Sequence, residues 1–354
     1  NYAENDVILK CLFRETIKEE GKFIRLDEAF TDVYYTSYPK KKLDRKIWKS
    51  WFYDETYAFD MEGSNFMHRV LRDYNTKEDK VKVVASRSSD NWSNYGIEVI
   101  YTGGPLLLTA FDKIKYQYDF LNPKLLNKYD FKYDGVVYIN GATCDVISFY
   151  PKSSIRSFSI NESKKNKFPL SIGNVYIEKE TFAITKCEYQ LAVSRDFGFF
   201  ENTVPLDYRI TINYSKRQEK WHLHSIHLDE VITIYTSLEK KIIPQHLSKS
   251  LYVLDIETEN IKPFSDSTLW KSTRFTTIRN YYDKYNADYW KDYELSKFCE
   301  LDAQIVSDLS EEKSLEEQFR QSAIEPQELA VPTTFGKPFS FKLLLNKSCL
   351  SSSP

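Results

Sequence analysis

The stretch that gathers the most potential ligands is Trp221-His-Leu-His-Ser-Ile-His-Leu-Asp-Glu230. In an extended strand His222 and His224 share one face, and His227 and Asp229 share the other. Two imidazoles two residues apart can bind a transition metal on an exposed sheet. A closed site needs a third and a fourth ligand, and the other histidines, His68 and His246, are not part of this motif. His222 and His224 are therefore weak metal candidates. A polar face on a long amphipathic strand accounts for them without chemistry, and no metal or other cofactor is expected.

Other catalytic patterns are missing. The sequence contains no GxGxxG, no Walker A loop, no GxSxG elbow and no HExxH. Carboxylates are plentiful, but no pair stands out as the acid and base of a glycosidase. No catalytic residue is nominated, and an envelope hydrolase remains only an alternative.

Composition narrows the class. The 354 residues are 42% hydrophobic and 28% charged, which describes a globular chain with a real core. The formal net charge of −2 gives no broad attraction for nucleic acid, and the basic-aromatic run Lys42–Trp51 does not change that balance. Aromatic residues reach 16%, and aromatic side chains suit a pleated, half-buried surface. Five scattered cysteines without a CxxC pair read as buried thiols, with one disulfide open in an oxidising compartment. No apolar run reaches the ~18 residues of a membrane helix. A chain opening at Asn1-Tyr2 without a leader reads as a processed or trimmed product.

The elements that would position any site are mostly strands. Val7–Glu20 and Lys22–Tyr35 form a hairpin about Gly21. That turn sets Leu12 opposite Phe30, Lys10 opposite Asp32, Arg14 opposite Glu28 and Phe13 opposite Ala29. Arg14 and Glu28 read as a structural ion pair, although Glu15 opposite Asp27 opposes the register. Ser86–Asn91 reads as a polar loop, and Leu106–Tyr116 as a helix with Leu107, Phe111 and Ile114 on one side.

The clearest strand is 129–140. Tyr129, Phe131, Tyr133, Val137 and Ile139 alternate with Asp130, Lys132, Asp134, Tyr138 and Asn140, with Gly135 on the apolar face and Val136 intruding on the polar one. Asn140-Gly141 is a strong hairpin signal, and Cys144–Tyr150 returns. Further hairpins follow at Val175–Val193 and Tyr208–Thr236, then a strand at Lys240–Thr258. Arg279–Glu294 has helical spacing at Tyr282, Tyr285 and Tyr289. Ser314 and Glu317 form a capping box. From Glu325 the chain reads as an extended tail.

Several landmarks in order carry a family resemblance. They are Phe13-Arg-Glu15, Asp27-Glu-Ala29, Gly103-Gly-Pro-Leu106, Tyr129–Gly135, Cys144–Lys152, Gly173–Ile177, Phe182-Ala-Ile184 and Ser314–Phe319. Together they resemble the C-terminal region of Bacteroidetes envelope proteins known as carboxypeptidase-like regulatory domain-containing proteins. In that family a small β-sandwich domain precedes this region, so the resemblance makes the present chain the downstream part. It implies no peptidase activity and transfers no catalytic residues. Residues 129 to 260 also resemble the half-barrel of periplasmic lipoprotein carriers, in which a curved sheet offers an apolar face to acyl chains.

The expected fold is α+β and mainly β: a curved antiparallel sheet, or half-barrel, with a few packed helices. Residues 1–128 supply a hairpin and an irregular or helical segment, 129–262 the meander, and 263–354 helical segments and a tail, all in one compact unit. The expected function is non-enzymatic binding or scaffolding in the periplasm or at the outer membrane, as an accessory subunit of a protein complex. Partners are envelope proteins, with lipid or lipoprotein next, and no nucleic acid. Tyr129, Phe131, Tyr133, Val137, Ile139, Val175 and Ile177 would line the sheet's apolar side. The alternative from the transport class is a carrier of lipid or lipoprotein acyl chains.

Overall fold

The computed structural model describes residues 2, 4–38, 79–89, 104–116, 119–139, 141–152, 171–191, 208–217, 219–236, 241–265, 285–292 and 301–324. Ten strands form one antiparallel sheet: β1 (Val7–Glu19), β2 (Lys22–Tyr35), β3 (Lys80–Ser88), β4 (Tyr129–Ile139), β5 (Ala142–Pro151), β6 (Ser171–Glu178), β7 (Ile184–Leu191), β8 (Tyr208–Arg217), β9 (Lys220–Thr236) and β10 (Lys241–Glu257). Their order is β3-β2-β1-β10-β9-β8-β7-β6-β5-β4, an open curved sheet with few helices. Among the described residues, no helix is long and apolar enough to cross a membrane.

The first hairpin pairs as its turn dictates. Glu20 and Gly21 both have positive φ, and the register runs from Val7 opposite Tyr35 to Ile17 opposite Arg25. Lys10 lies 3.0 Å from Asp32. Glu15 does face Asp27, and each acid has found a cation: Lys249 lies 3.5 Å from Glu15, and Arg25 pairs with Asp27. The like-charge pair is tolerated because Lys249 of β10 stands beside Glu15 and Arg25 of β2 beside Asp27.

One face of the sheet, here called inner, holds the main core. Leu9, Phe13, Phe149, Val175, Tyr189, Ile210, Ile212, Tyr214, Ile226 and Leu251 pack there with Leu106, Leu108, Ile114 and Phe120 from the segment before β4. That segment contains α1 (Gly104–Ala110), α2 (Lys113–Tyr116) and two single-turn 3-10 helices, Asp119–Leu121 and Leu126–Lys128. Instead of one helix from Leu106 to Tyr116 there are two, broken at Phe111-Asp112. The break exists because Asp112 turns its carboxylate onto the amides of Ile114 and Lys115, a helix-starting cap. Leu106 and Leu108 face the core; the side chain of Leu107 lies outside the described residues.

Among the described residues, helices cover the opposite face at the β1–β3 end. α3 (Ala287–Asp292) sets Trp290 against Leu12, Phe30 and Ala85. α4 (Ala303–Leu309) and α5 (Leu315–Ile324) set Ile305, Leu309, Leu315 and Phe319 against Leu26. The capping box is formed: Glu317 N donates to Ser314 Oγ at 3.3 Å, and Ser314 N donates to Glu317 Oε2 at 3.0 Å. Residues 279–284 and 293–294, the run Lys42–Trp51 and the tail from 325 lie outside the described residues.

Two local expectations change. Ser86 to Ser88 end strand β3 instead of opening a loop, because they pair with Ala29, Glu28 and Asp27 of β2. Strand β4 also does not alternate throughout. Tyr133 faces Ile147 but Gly135 faces Val146, a bulge at Asp134-Gly135. Gly135 has φ of 111°, a conformation open to glycine and costly for other residues. Beyond the bulge the faces swap, so Val136 joins Tyr133 on the inner side and Val137 turns away. Tyr133 OH donating to Asp145 Oδ1 at 3.1 Å, with Val136 opposite Asp145, confirms the shared side.

Candidate functional site

The inner face is closed over its middle by residues 104–116 and 119–121, and a buried polar cluster holds them down. Asp112 sits at its centre. Its Oδ1 accepts from Tyr214 OH at 2.6 Å and from the Ile114 and Lys115 amides at 3.0 Å each. Its Oδ2 accepts from Tyr35 OH and, at 3.2 Å, from Tyr38 OH. Burial, and then the Asp112 charge, push the Tyr35 and Tyr214 phenols far above their ordinary range, so both stay protonated donors.

Two buried lysines extend the cluster. Lys115 Nζ donates to Asp79 Oδ1 at 2.5 Å and lies 3.6 Å from the Tyr35 ring centroid. Lys113 Nζ pairs with Asp119 and donates to Ser171 Oγ at 2.6 Å; burial draws its pKa down although Asp119 pulls the other way. Tyr129 OH donates to the same Asp119. β2 and β8 thus meet this segment at Asp112, and β4 and β6 meet it at Asp119 and Lys113. The helix-capping position of Asp112 ahead of Lys113-Ile-Lys-Tyr was the sequence signal available for it.

The proposed lining residues divide. Tyr129 and Val175 are buried in the core, and Ile177 packs against it. Phe120 stacks on Phe149 with centroids 3.7 Å apart. Phe131, Tyr133 and Val137 are exposed, Tyr133 at 60 %. Ile139 is half-buried opposite Ala142. Val136 and Tyr138, absent from the expected set, are exposed as well, on the Tyr133 side to which the bulge turns them. β4 is also the last strand in the sheet order, with β5 as its sole neighbour among the described strands.

Arg14 Nε lies 2.7 Å from Glu28 Oε1, and Arg87 Nε donates to Glu28 Oε2 at 2.7 Å. Arg87 came from the stretch read as a loop. Its guanidinium carbon stacks 4.1 Å from the Trp290 ring centroid and 4.7 Å from that of Phe319. Burial alone would raise the Glu28 pKa, but the guanidiniums of Arg87 and Arg14 hold it below the ordinary value. This triad fastens α3 and α5 to the sheet.

Among the described residues the histidines do not converge. His222 is buried and His224 exposed, and burial, followed by the Arg217 charge, lowers both pKa values. Among the described residues no group of three or more His, Cys, Asp or Glu side chains is placed to hold a metal ion. His227 instead bridges Ser250 Oγ (2.5 Å from Nδ1) and Asp229 Oδ2 (3.0 Å from Nε2). Ser250 is buried and sits opposite both Arg14 and His227 in the strand ladder. Acyl transfer needs N–H donors aimed at an oxyanion beside an accessible nucleophile, and ladder pairing ties up the amides of a strand. Cys11, Cys144 and Cys187 are buried free thiols, and burial raises the pKa of Cys11 and Cys187.

Solved structures with a similar course are distant. A DUF1329 family protein from Desulfovibrio piger ATCC 29098 is 11% identical, with 75% of this chain and 92% of that chain covered and a TM-score of 0.28. An outer membrane lipoprotein-sorting protein domain from Vibrio parahaemolyticus is 11% identical over 75% and 89%, with a TM-score of 0.26. A LolA superfamily protein from Nitrosomonas europaea is 6% identical over 77% and 92%, with a TM-score of 0.23. Likenesses at this level decide nothing about ligand or activity. No family model and no curated protein matches the chain, so the resemblance to the Bacteroidetes envelope family gains no support. The chain is defined by its own strand pairing as an open, curved antiparallel sheet.

Proposed function

We propose that this chain is a non-enzymatic binding or scaffold protein of the cell envelope, and that strand β4 is the surface it offers to a partner protein. One observation carries this reading: Phe131, Tyr133, Val136 and Tyr138 are exposed along an edge strand that has only β5 beside it among the described strands. Soluble proteins usually blunt such edges with charge or a bulge. Here Lys132, Asp134 and the bulge protect the first half, whereas Gly135–Ile139 (Gly-Val-Val-Tyr-Ile) is uncharged. An extended partner segment adding to this edge would gain main-chain hydrogen bonds and cover the aromatic rings.

The test is mild-detergent purification from the native envelope, with mass-spectrometric identification of what co-purifies. The expected result is a stoichiometric partner that is retained by the wild-type chain and lost from Val136→Lys and Tyr133→Lys. A chain that elutes alone, or variants that keep the partner, would overturn the reading.

A second reading, acyl-chain carriage, is favoured by one feature. The apolar inner face is covered by a separate short segment held by polar contacts to Asp112, Asp79 and Asp119, and not by a strand of the sheet. It requires a fluorescent fatty acid to bind, and binding to weaken on Tyr133→Asp. Absence of binding removes it.

A further inference from the structure

Tyr2 fills a gap in the strand ladder with its side chain. β7 pairs with β8 from Gln190, opposite Arg209, to Lys186, opposite Asn213, and the pairing stops there. Ile184, at the start of β7, lies beyond it. The N–H and C=O of one residue in an antiparallel strand point to the same side. Both groups of Ile184 meet the Tyr2 hydroxyl: Ile184 N donates to Tyr2 OH at 2.8 Å, and Tyr2 OH donates to Ile184 O at 2.9 Å. One hydroxyl, at once donor and acceptor, stands where the next strand would.

The walls around the Tyr2 ring have supports of their own. The Tyr38 ring centroid lies 4.9 Å from that of Tyr2, and the Tyr214 centroid 5.8 Å away, edge-on. Both walls donate to the Asp112 carboxylate, Tyr214 at 2.6 Å and Tyr38 at 3.2 Å. The slot therefore does not depend on Tyr2 for its shape, and a preorganised slot loses little affinity to ordering its walls.

The two ends of the slot select one ligand chemistry. Two tyrosine rings favour an aromatic plane, and Ile184 needs a single atom that both gives and accepts a hydrogen bond. A phenol supplies both. An alkylbenzene would leave two backbone groups unpaired. Burial pushes the Tyr2 phenol far above its ordinary range, although the bond to Ile184 pulls the other way, so the hydroxyl keeps the proton it donates.

The connection from Tyr2 to β1 is short. Its backbone bridges Trp221 of β9, Glu4 and Asn5 are exposed, and Glu4 lies 4.0 Å from Lys220. The next firm anchor is Asp6, which accepts from Ser37 N at 2.8 Å and from the Tyr34 hydroxyl. A ligand on such a tether has an effective concentration on the order of millimolar, which a free competitor can match.

We propose that the slot formed by Ile184, Tyr38 and Tyr214 is a binding site for a 4-hydroxyphenyl group, that Tyr2 occupies it from within the same chain, and that a free phenol or a tyrosine of another polypeptide displaces Tyr2. β6 and β5 separate this site from β4, and the proposal does not rest on the partner reading.

The experiment follows the amide resonances of Tyr2 and Ile184, with thermal unfolding, in the whole chain as wild type, Tyr2→Phe and Tyr2→Gly. The probes are 4-methylphenol, N-acetyltyrosine amide and toluene. Tyr2→Gly should lose exchange protection at Ile184 and regain it with 4-methylphenol, which should bind about tenfold tighter than toluene. In the wild type, 4-methylphenol should shift the Tyr2 resonance at concentrations on the order of millimolar. Tyr2→Phe keeps the ring but gives up both hydrogen bonds, so 4-methylphenol should displace it about tenfold more readily than it displaces Tyr2. Binding of 4-methylphenol alone assigns the site to small phenols; binding of the tyrosine amide as well admits a tyrosine of a partner chain. Toluene binding as tightly as 4-methylphenol, no binding to Tyr2→Gly, or no displacement of Tyr2 in the wild type would overturn the proposal. Should Tyr2→Gly not fold, equal displacement from Tyr2→Phe and the wild type overturns it alone.

Discussion

Asp112 and Tyr214 stand 102 positions apart in the chain and share a 2.6 Å hydrogen bond at the centre of the inner face. That bond joins β8 to the short helices that cover the sheet. The same carboxylate takes the hydroxyls of Tyr35 and Tyr38 from the β2 end, so one side chain anchors the cover to strands on both sides of the bend.

Removing it leaves three hydroxyls and two helix amides without their acceptor. Bonds to a buried charge are each worth about 1.5–3 kcal/mol, and orphaned donors add a desolvation penalty. Asp112→Ala should therefore lower stability by about 3–5 kcal/mol, and Asp112→Asn by less. Urea unfolding measures the loss, and binding of an apolar dye should rise as the cover loosens. A variant as stable as the parent would show that the cover is held by packing alone.

The Glu28 triad predicts an acid limb. Its folded pKa lies below the unfolded one, because the Arg87 and Arg14 guanidiniums outweigh its burial. The ionised form is thus favoured by folding, and its contribution is complete above the unfolded value, about 4.3. It disappears as pH falls through the lower folded value. Stability of the parent chain should drop from about pH 5 downward. Glu28→Gln should be about 3–5 kcal/mol less stable at neutral pH, with two guanidiniums left uncompensated, and should show a shallower acid decline. Equal slopes in the two proteins would refute this assignment.

Gly173 lets β6 and β7 approach closely. A Cβ there would stand 2.0 Å from Glu188 O and 2.7 Å from Tyr189 Cα, both backbone atoms that cannot rotate away. Gly173→Ala should cost about 3 kcal/mol or more and disturb the β6–β7 pairing. Loss of amide-exchange protection in both strands is the readout, and unchanged protection would count against it.

Ser314 caps α5, which carries Phe319 onto Arg87. Ser314→Ala should cost about 1 kcal/mol. Faster amide exchange should be confined to α5 and the Arg87 end of β3; a uniform change across the sheet would mean that α5 is not a separable element.

Local signals were enough for much of the architecture. Period-two runs and their turns marked the hairpins, because a strand's alternation and a turn's backbone demands are written within a few residues. Glu20-Gly21 alone specified the β1–β2 register as far as Ile17. Pairing between β1 and β10, which brings residues 8–19 against 245–257, had no such signature. Lys249 meets Glu15, and Arg87 meets Glu28, only once those distant strands are side by side.

The candidate surface shows the same division. Aromatic alternation in β4 was visible in the sequence, but which rings would be buried was not. The bulge at Gly135 reassigns faces, and Phe120 covers the Tyr129 end while leaving Tyr133 open. Composition and periodicity determined that a wide antiparallel sheet would form; burial depends on what packs across it, a contact between segments far apart in the chain, and so only the tertiary structure decided which side chains became core and which became surface.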